Sequence, residues 1–462
     1  MLFNSRVFLL VFLPIVYFSY WRLKSRNHRY AWLTLSGYVF YSFWDYRFCG
    51  LMLFSTLVSY FSAIWLDRAA TPGKRRFFLV APIATDLLLL AVFKYAGFAL
   101  TTTSRLAQLL HVPLQLPSIH IILPIGISFY TFHTITYIVD CYRGVIKPTR
   151  NFLEFSCYVS LFSQLVAGPI VRFRQIEQDL ETIDHARRDA GLNIGWSFFV
   201  LGLIEKVLIA DTIAGSINPL FQDFHNLSTV SAWTCALGYS YQLYFDFSGY
   251  SSMAVGLGYL FGLRLPQNFN SPYKAINISD FWARWHISLS TVLRDYLYIP
   301  LGGNRHGTRN TYRNLMLTML LGGLWHGANW TFVFWGIYHG MLLVFYRVTQ
   351  NRFDRLPKLL RQALTFYAVM LGFIVFRCTG FRMAGTVLAR MFTPHGGALP
   401  TGVISLVLAL LAAAYWAHIG PNPFEMHHDW RGWRLAGLVV LFLGSMFFIT
   451  AGHQSPFLYF QF

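Results

Sequence analysis

The chain of 462 residues is 55% hydrophobic and 18% aromatic, with 12% charged residues where a soluble protein carries roughly 25%. Its net charge of +18 gathers at the ends of apolar blocks, the distribution that orients membrane helices, so the basic excess is no mark of nucleic acid. A soluble enzyme, a disordered chain and a secreted disulfide scaffold are excluded, and the sequence reads as an all-α, polytopic integral membrane protein.

The first apolar block, Val7 to Trp21, has the length of a signal peptide but no small-residue cleavage site. It runs into Arg22, Lys24, Arg26 and Arg29 and reads as a retained span. Basic gaps at 22–30, 67–77 and 143–150 are cytoplasmic by the positive-inside rule. The N-terminus is then outside, with spans near 7–21, 31–44, 48–66, 78–99 and 121–141, and external connections at 45–47 and 100–120. Residues 152–171 are apolar but broken at Gly168-Pro169. This pattern predicts a re-entrant segment buried in protein, because irregular backbone cannot face lipid. Residues 172–192 are polar and belong at the cytoplasmic surface.

Spans resume at 194–214 and 229–262; the second is long and polar in its middle, which predicts a broken or tilted helix. The polar stretch 263–313 is cytoplasmic, and its segment FWARWHISLSTVLRDYLYIPL suits interfacial helices. Residues 314–346 read as two passes around a glycine-rich middle, and spans near 363–378, 402–419 and 435–450 follow. The total is about twelve spans, within 11 to 13, in a single domain 1–462 with both termini outside and residues 451–462 as an extracytoplasmic tail. No internal repeat of the transporter kind is visible. The five cysteines, Cys49, Cys141, Cys157, Cys235 and Cys378, have neither metal-site nor disulfide spacing and are expected in helices.

Ionisable side chains at membrane depth are functional candidates because desolvating them costs several kcal/mol. His326 lies mid-block in GGLWHGANW, between Trp325 and glycines, with Asn329 three residues on. A hydrogen-bonded core histidine is the competing reading, and it applies equally to His339. His286 in DFWARWHISLS would share a helix face with Trp282, as Asp280 would with Arg284, and an interfacial aromatic belt explains it as well. Asp246 in YQLYFDFSGYSS is an intramembrane carboxylate that needs a partner, structural or catalytic. Walker, GxSxG, HExxH and dinucleotide motifs are absent from the sequence.

The ordered run QLYFDFSGYSSMAVGLGYLFG, PQNFNSPYKA, DFWARWHISLSTVLRDYLYIPLGGNR and GGLWHGANWTFVFWGIYHG resembles the membrane-bound O-acyltransferases, in the bacterial branch that acetylates alginate. FNSRVFLLVFLPIVYF, LPIGISFYTFHTITYIVDCYRG and LVAGPIVRF support it, and the likeness fades beyond residue 346. The resemblance implies tilted helices around a central tunnel, a cytoplasmic acyl donor, and delivery on the far side. It places the family's histidine at His326 and its upstream polar partner at His286. Ser252 stands where many relatives have an acidic residue, so no catalytic carboxylate is assigned there; Asp246, Trp325 and Asn329 remain candidates for tunnel lining or support.

The chain ends AGHQSPFLYFQF. It is similar to the C-terminus of a small partner peptide in the teichoic acid D-alanylation system, which implies Tyr459 as an acyl carrier; an aromatic anchor at the membrane interface is the other reading. From Thr450 to Tyr459 an extended chain reaches about 30 Å, against about 15 Å to the midplane. A thiolate (pKa about 8.5) leaves more easily than a phenolate (about 10), and a sugar alkoxide is far more basic than either, so thioester, tyrosyl ester and sugar ester form a descending series.

The resulting expectation is an acyltransferase of the bacterial inner membrane that moves acetyl groups towards an exported polysaccharide. Acetyl-CoA is the donor substrate by resemblance, a separate periplasmic acetyltransferase completes delivery, membrane lipid surrounds the chain, and no cofactor, metal or nucleic acid is expected. A transporter of an acyl donor or small metabolite is the alternative. Arg284, Arg294 and Arg305 suit donor phosphates and lipid headgroups equally.

Overall fold

The computed structural model describes every residue except 115, 118–120, 167, 453–456 and 459–462. Regular structure among the described residues is helical, and the chain divides into two compact units. Five helices are long and apolar enough to cross a membrane, Arg47–Arg68, Pro72–Leu109, Trp330–Phe353, Lys358–Arg377 and Gly432–Thr450, and Phe8–Tyr20 and Val403–His418 are shorter apolar helices.

The first unit holds Met1–Leu2 and Val7–Gly191, completed by Gly258–Leu265. Its helices are α1 (Phe8–Tyr20), α2 (Arg26–Asp45), α3 (Arg47–Arg68), α4 (Pro72–Leu109), α5 (Ile127–Tyr142), α6 (Phe152–Ser160), α7 (Phe162–Leu165) and α8 (Phe173–Glu181). The expected break at 152–171 is present. Leu161 interrupts the helix, and the described residues of the irregular stretch are buried, with two main-chain carbonyls met by side chains: Gln164 Nε2 donates to Tyr158 O (2.6 Å) and Tyr158 Oη to Val171 O (2.9 Å). In α8, Phe173, Ile176 and Leu180 are buried on one stripe while its other positions are polar, as a surface helix requires. The helix predicted at 78–99 runs on to Leu109, which removes half of the expected connection at 100–120. Within it Asp86 is buried and accepts hydrogen bonds from Ser55 Oγ (2.6 Å) and Thr134 Oγ1 (2.7 Å), so its charge density is met inside the protein.

The second unit carries Leu192–Leu257 and Pro266–Phe462. A continuous helical run, α9, comprises Leu192–Ile204, a π-helical stretch Glu205–Asp211, and Thr212–Gln222. After it come α10 (Thr229–Leu260), α11 (Ile278–Arg284), α12 (Ile287–Leu293), α13 (Gly307–His326), α14 (Trp330–Phe353), α15 (Lys358–Arg377), α16 (Phe381–Phe392), α17 (Val403–His418) and α18 (Gly432–Thr450). The segment 314–346, expected as two passes, holds the end of α13 and the start of α14, separated by Gly327–Asn329; of these two helices only α14 is long and apolar enough to cross a membrane. On α17 and α18 the outward residues Ile404, Leu408, Leu411, Val440, Leu443 and Phe447 are exposed, an apolar surface of the kind a membrane helix turns to lipid.

Of the two forms expected for 229–262, broken or tilted, the break is absent: α10 is continuous. Its polar residues Ser240, Gln242, Asp246, Ser248, Ser251 and Ser252 are all buried against protein, so the helix keeps its backbone bonds without exposing them to lipid. The segment 278–298, expected at the interface, turns one set of residues inward: Phe281, Trp285, His286, Leu289 and Val292 are buried, while Ala283 and Arg294 are exposed.

Glycine decides how α9 meets α10. A Cβ at Gly249 would lie 2.6 Å from Gly202 O and 2.9 Å from Lys206 N; one at Gly256 would lie 2.5 Å from Gly195 O. The two backbones therefore touch, a geometry open only to small residues. The pairs 195/256 and 202/249 fix an antiparallel register, and one turn further it sets Lys206 opposite Asp246.

Candidate active site

His326 is the last residue of α13, and the chain leaves the helix at Gly327 in extended conformation. Asn329 holds this break: its Oδ1 accepts from Thr331 N (3.1 Å) to cap α14, and its Nδ2 donates to Thr379 O (3.0 Å). Asn329 thus supports the histidine's turn and does not line the cavity beside it. The imidazole is buried in an aromatic cage, with ring centroids 5.1 Å from Trp325, 5.2 Å from Trp335 and 5.2 Å from Phe376. Beside it is a cavity of about 20 Å³, room for a single water, lined by Leu243, Phe247, Trp285, Trp335, Phe373 and Phe376.

His286 does not share a helix face with Trp282. α11 ends at Arg284, Trp285 is extended, and His286 takes a left-handed conformation (φ 44°, ψ 53°) before α12 begins. Such a conformation in a non-glycine residue costs of order 1–3 kcal/mol and persists only where its surroundings enforce it. The enforcing residue is Asn268. Its Oδ1 accepts from Ser288 N (3.2 Å), Ser288 Oγ (2.8 Å) and His286 Nδ1 (3.0 Å), and its Nδ2 donates to Ser251 Oγ (3.1 Å). Because Ser288 N–H can only donate, the acceptor end of the amide faces His286, and Nδ1 carries the imidazole proton. Nε2 then presents a lone pair, and it has no hydrogen-bond partner among the described residues. The expected Asp280–Arg284 pair is present at 2.7 Å.

The two histidines share walls. Phe247 touches the His286 ring (4.6 Å between centroids) and lines the His326 cavity; Trp325 lies 6.1 Å from His286 and 5.1 Å from His326. His339 stands one turn beyond Trp335 on α14 (4.6 Å between rings), fully buried, with both ring nitrogens unpartnered among the described residues.

The partner Asp246 requires is Lys206, which the sequence reading does not single out, nor does it single out Asp211 or Asn268. Lys206 Nζ contacts Asp246 Oδ1 at 2.5 Å and Asp211 Oδ1 at 2.7 Å. Lys206 and Asp211 are five residues apart, a spacing that an α-helix turns to opposite sides and that the i→i+5 bonding of a π-helix brings onto one face. A signal for them is legible: three ionisable residues, Glu205, Lys206 and Asp211, inside an otherwise apolar run.

The other carboxylate oxygen of Asp246 accepts Leu458 N–H at 2.9 Å. Phe457 and Leu458 are 1% and 2% exposed, and the Phe457 ring packs on Tyr250 (4.8 Å) and Phe247 (5.9 Å), so Phe457 is a core residue and not an interfacial anchor. Tyr459 lies outside the described residues; it is the next residue in the chain.

Of the arginines proposed for phosphate, Arg284 is paired with Asp280 and Arg294 with Asp295. Four of the five cysteines are buried and Cys49 is half-buried.

The model of the membrane-bound O-acyltransferase family matches residues 143–387. Over their whole lengths this chain and the probable alginate O-acetylase AlgI of Pseudomonas putida are 40% identical. The peptidoglycan O-acetyltransferase of Helicobacter pylori is 36% identical, over 86% of this chain and 81% of that one. The teichoic acid D-alanyltransferase of Streptococcus thermophilus is 32% identical, over 54% and 68%.

Proposed function

Because the chain belongs to the membrane-bound O-acyltransferase family and is a multi-pass membrane acyltransferase, we propose that it carries acetyl groups across the bacterial inner membrane for O-acetylation of an exported polysaccharide. The donor is a cytoplasmic thioester, acetyl-CoA, and the acceptor within this chain is Tyr459. The names of relatives that acetylate alginate and peptidoglycan support a glycan as the final acceptor. Acyltransferase membership favours this reading over a transporter.

The observation that carries it is the anchoring of Leu458 on Asp246, on the same helix as Phe247, whose ring packs on both Phe457 and His286 and walls the cavity at His326. In the reaction His326 acts as general base on the Tyr459 hydroxyl. The phenolic oxygen attacks the thioester carbon, the C–O bond forms and the C–S bond breaks, and the proton leaves with the thiolate. His286, its Nδ1 proton held by Asn268, offers Nε2 to the same step. A periplasmic acetyltransferase then moves the group from the tyrosyl ester to a sugar hydroxyl. The whole chain acts as one transferase domain, with residues 451–462 as its extracytoplasmic tail.

The test is His326→Ala in the purified, solubilised enzyme with radiolabelled acetyl-CoA. Loss of transfer by about 10²–10⁴-fold is expected, the usual share of a general base. Activity within threefold of the parent would contradict the assignment.

A further inference from the structure

The ion triad Asp211–Lys206–Asp246 takes no part in the bond-making and bond-breaking just described, yet it is built at considerable cost. Each charge removed from water costs several kcal/mol, which only close mutual contact offsets. Three separate features of the sequence converge to make that contact. The Gly202/Gly249 crossing brings α9 against α10, the π-helical stretch aligns Lys206 with Asp211, and the register sets Lys206 opposite Asp246. Lys206 takes up Asp246 Oδ1, which leaves Oδ2 to accept the amide of Leu458. Asp246 and Leu458 are 212 residues apart in the chain, so this bond is a tertiary clasp and not a local turn.

We propose that the triad is a dock for the C-terminal tail, with Asp246 the clasp and Lys206 the positioning residue that aims it. A carboxylate free to rotate would offer its oxygens to any nearby donor. Held at Oδ1 by an ammonium that Asp211 holds in turn, it presents Oδ2 in one direction. The main-chain amide is the recognised group, so the dock reads the position of the tail and not the identity of residue 458. Phe457 inserted against Tyr250 and Phe247 supplies the apolar half of the seat. The purpose of the dock rests on Tyr459 being the carrier: clasping residue 458 sets where residue 459 begins. The dock itself does not depend on that reading.

The reporter is Phe457→Cys in the full-length protein, labelled with a maleimide and read by mass spectrometry of the C-terminal peptide, which needs no catalysis. In that background Asp246→Leu and Lys206→Met should speed labelling by about tenfold or more, the size expected for a lost hydrogen bond to a charged acceptor. Asp246→Asn keeps one acceptor oxygen for two donors, Lys206 and the Leu458 amide, so it should label faster than the parent and no faster than Asp246→Leu. Should the triad variants fail to fold, Leu458→Pro against Leu458→Ala isolates the clasp, since both lose the side chain but only proline loses the N–H. Faster labelling in the proline variant is expected. Equal labelling in that pair, or unchanged labelling in Asp246→Leu, overturns the dock. Tyr459→Phe that keeps full acetyl transfer while the reporter thiol stays shielded would end the carrier reading and leave the dock standing.

Discussion

Replacing Asn268 with alanine tests whether His286 works through a fixed tautomer. The amide serves four hydrogen bonds, and its removal leaves His286 Nδ1–H, Ser288 N–H, Ser288 Oγ and Ser251 Oγ without the partner they use, all within a buried site; the Ser288 hydroxyl can turn to another acceptor, which leaves three groups stranded. At about 1 kcal/mol for each stranded group, the variant should lose about 3 kcal/mol of stability. The functional cost is separate. Without the acceptor, the imidazole proton can sit on Nε2 and the ring can turn, and outer-shell losses of this kind typically cost about 10–100-fold in activity. Asn268→Ala should therefore lower kcat for acetyl transfer by that factor with KM nearly unchanged. Asn268→Asp restores an acceptor for Nδ1–H and should recover most of the rate. The assay is initial-rate transfer from labelled acetyl-CoA in detergent micelles, paired with a thermal melt. A variant that melts earlier yet keeps kcat within twofold would reduce Asn268 to a structural staple and refute the tautomer argument.

Two further substitutions probe the cavity and the helix crossing. Leu243→Ala trades an isobutyl group for a methyl in the wall beside His326; a methylene in an apolar pocket is worth about 1–3 kcal/mol, so the butyryl-to-acetyl transfer ratio should rise about tenfold, and an unchanged ratio would remove the cavity from substrate selection. Gly249→Ala places a methyl 2.6 Å from Gly202 O, which must force α9 and α10 apart. Overpacking of this kind costs about 1–3 kcal/mol, so the melt should shift down, and a melt equal to the parent would show that the crossing yields freely.

Much of the architecture is legible in the sequence because lipid imposes a strict grammar. Apolar blocks next to Arg22–Arg29 or Lys74–Arg76 locate the helices, though the second runs ten residues beyond its expected end, and Gly168-Pro169 betrays the buried irregular stretch. The errors arise where protein replaces lipid as the neighbour. A polar middle in 229–262 suggests a broken helix if the surroundings are hydrocarbon; Asp246 facing Lys206 removes the reason for a break. The WHISLS segment looks amphipathic along one helix, but Asn268, eighteen residues upstream, holds His286 in a left-handed turn that no periodicity can express. Asn268 itself, in PQNFN, carries no local mark of its role. Lys206 and Asp211 are visible as charges inside an apolar run, yet their pairing depends on a π-helical turn and a glycine crossing, both products of tertiary packing. His326 stands out by its glycine and tryptophan neighbours, and the structure gives it the buried aromatic cage those neighbours imply.

The central claim is that the acyl group rests on the chain itself between donor and glycan. The direct measurement is rapid quenching of the wild-type enzyme with labelled acetyl-CoA, in the absence of any acceptor, followed by mass spectrometry of the C-terminal peptide. The account predicts an acetyl group on Tyr459 that forms within the burst phase, is absent from Tyr459→Phe and from His326→Ala, and disappears when the acceptor transferase is added. A C-terminal peptide that stays unmodified while acetyl still reaches the acceptor would contradict it.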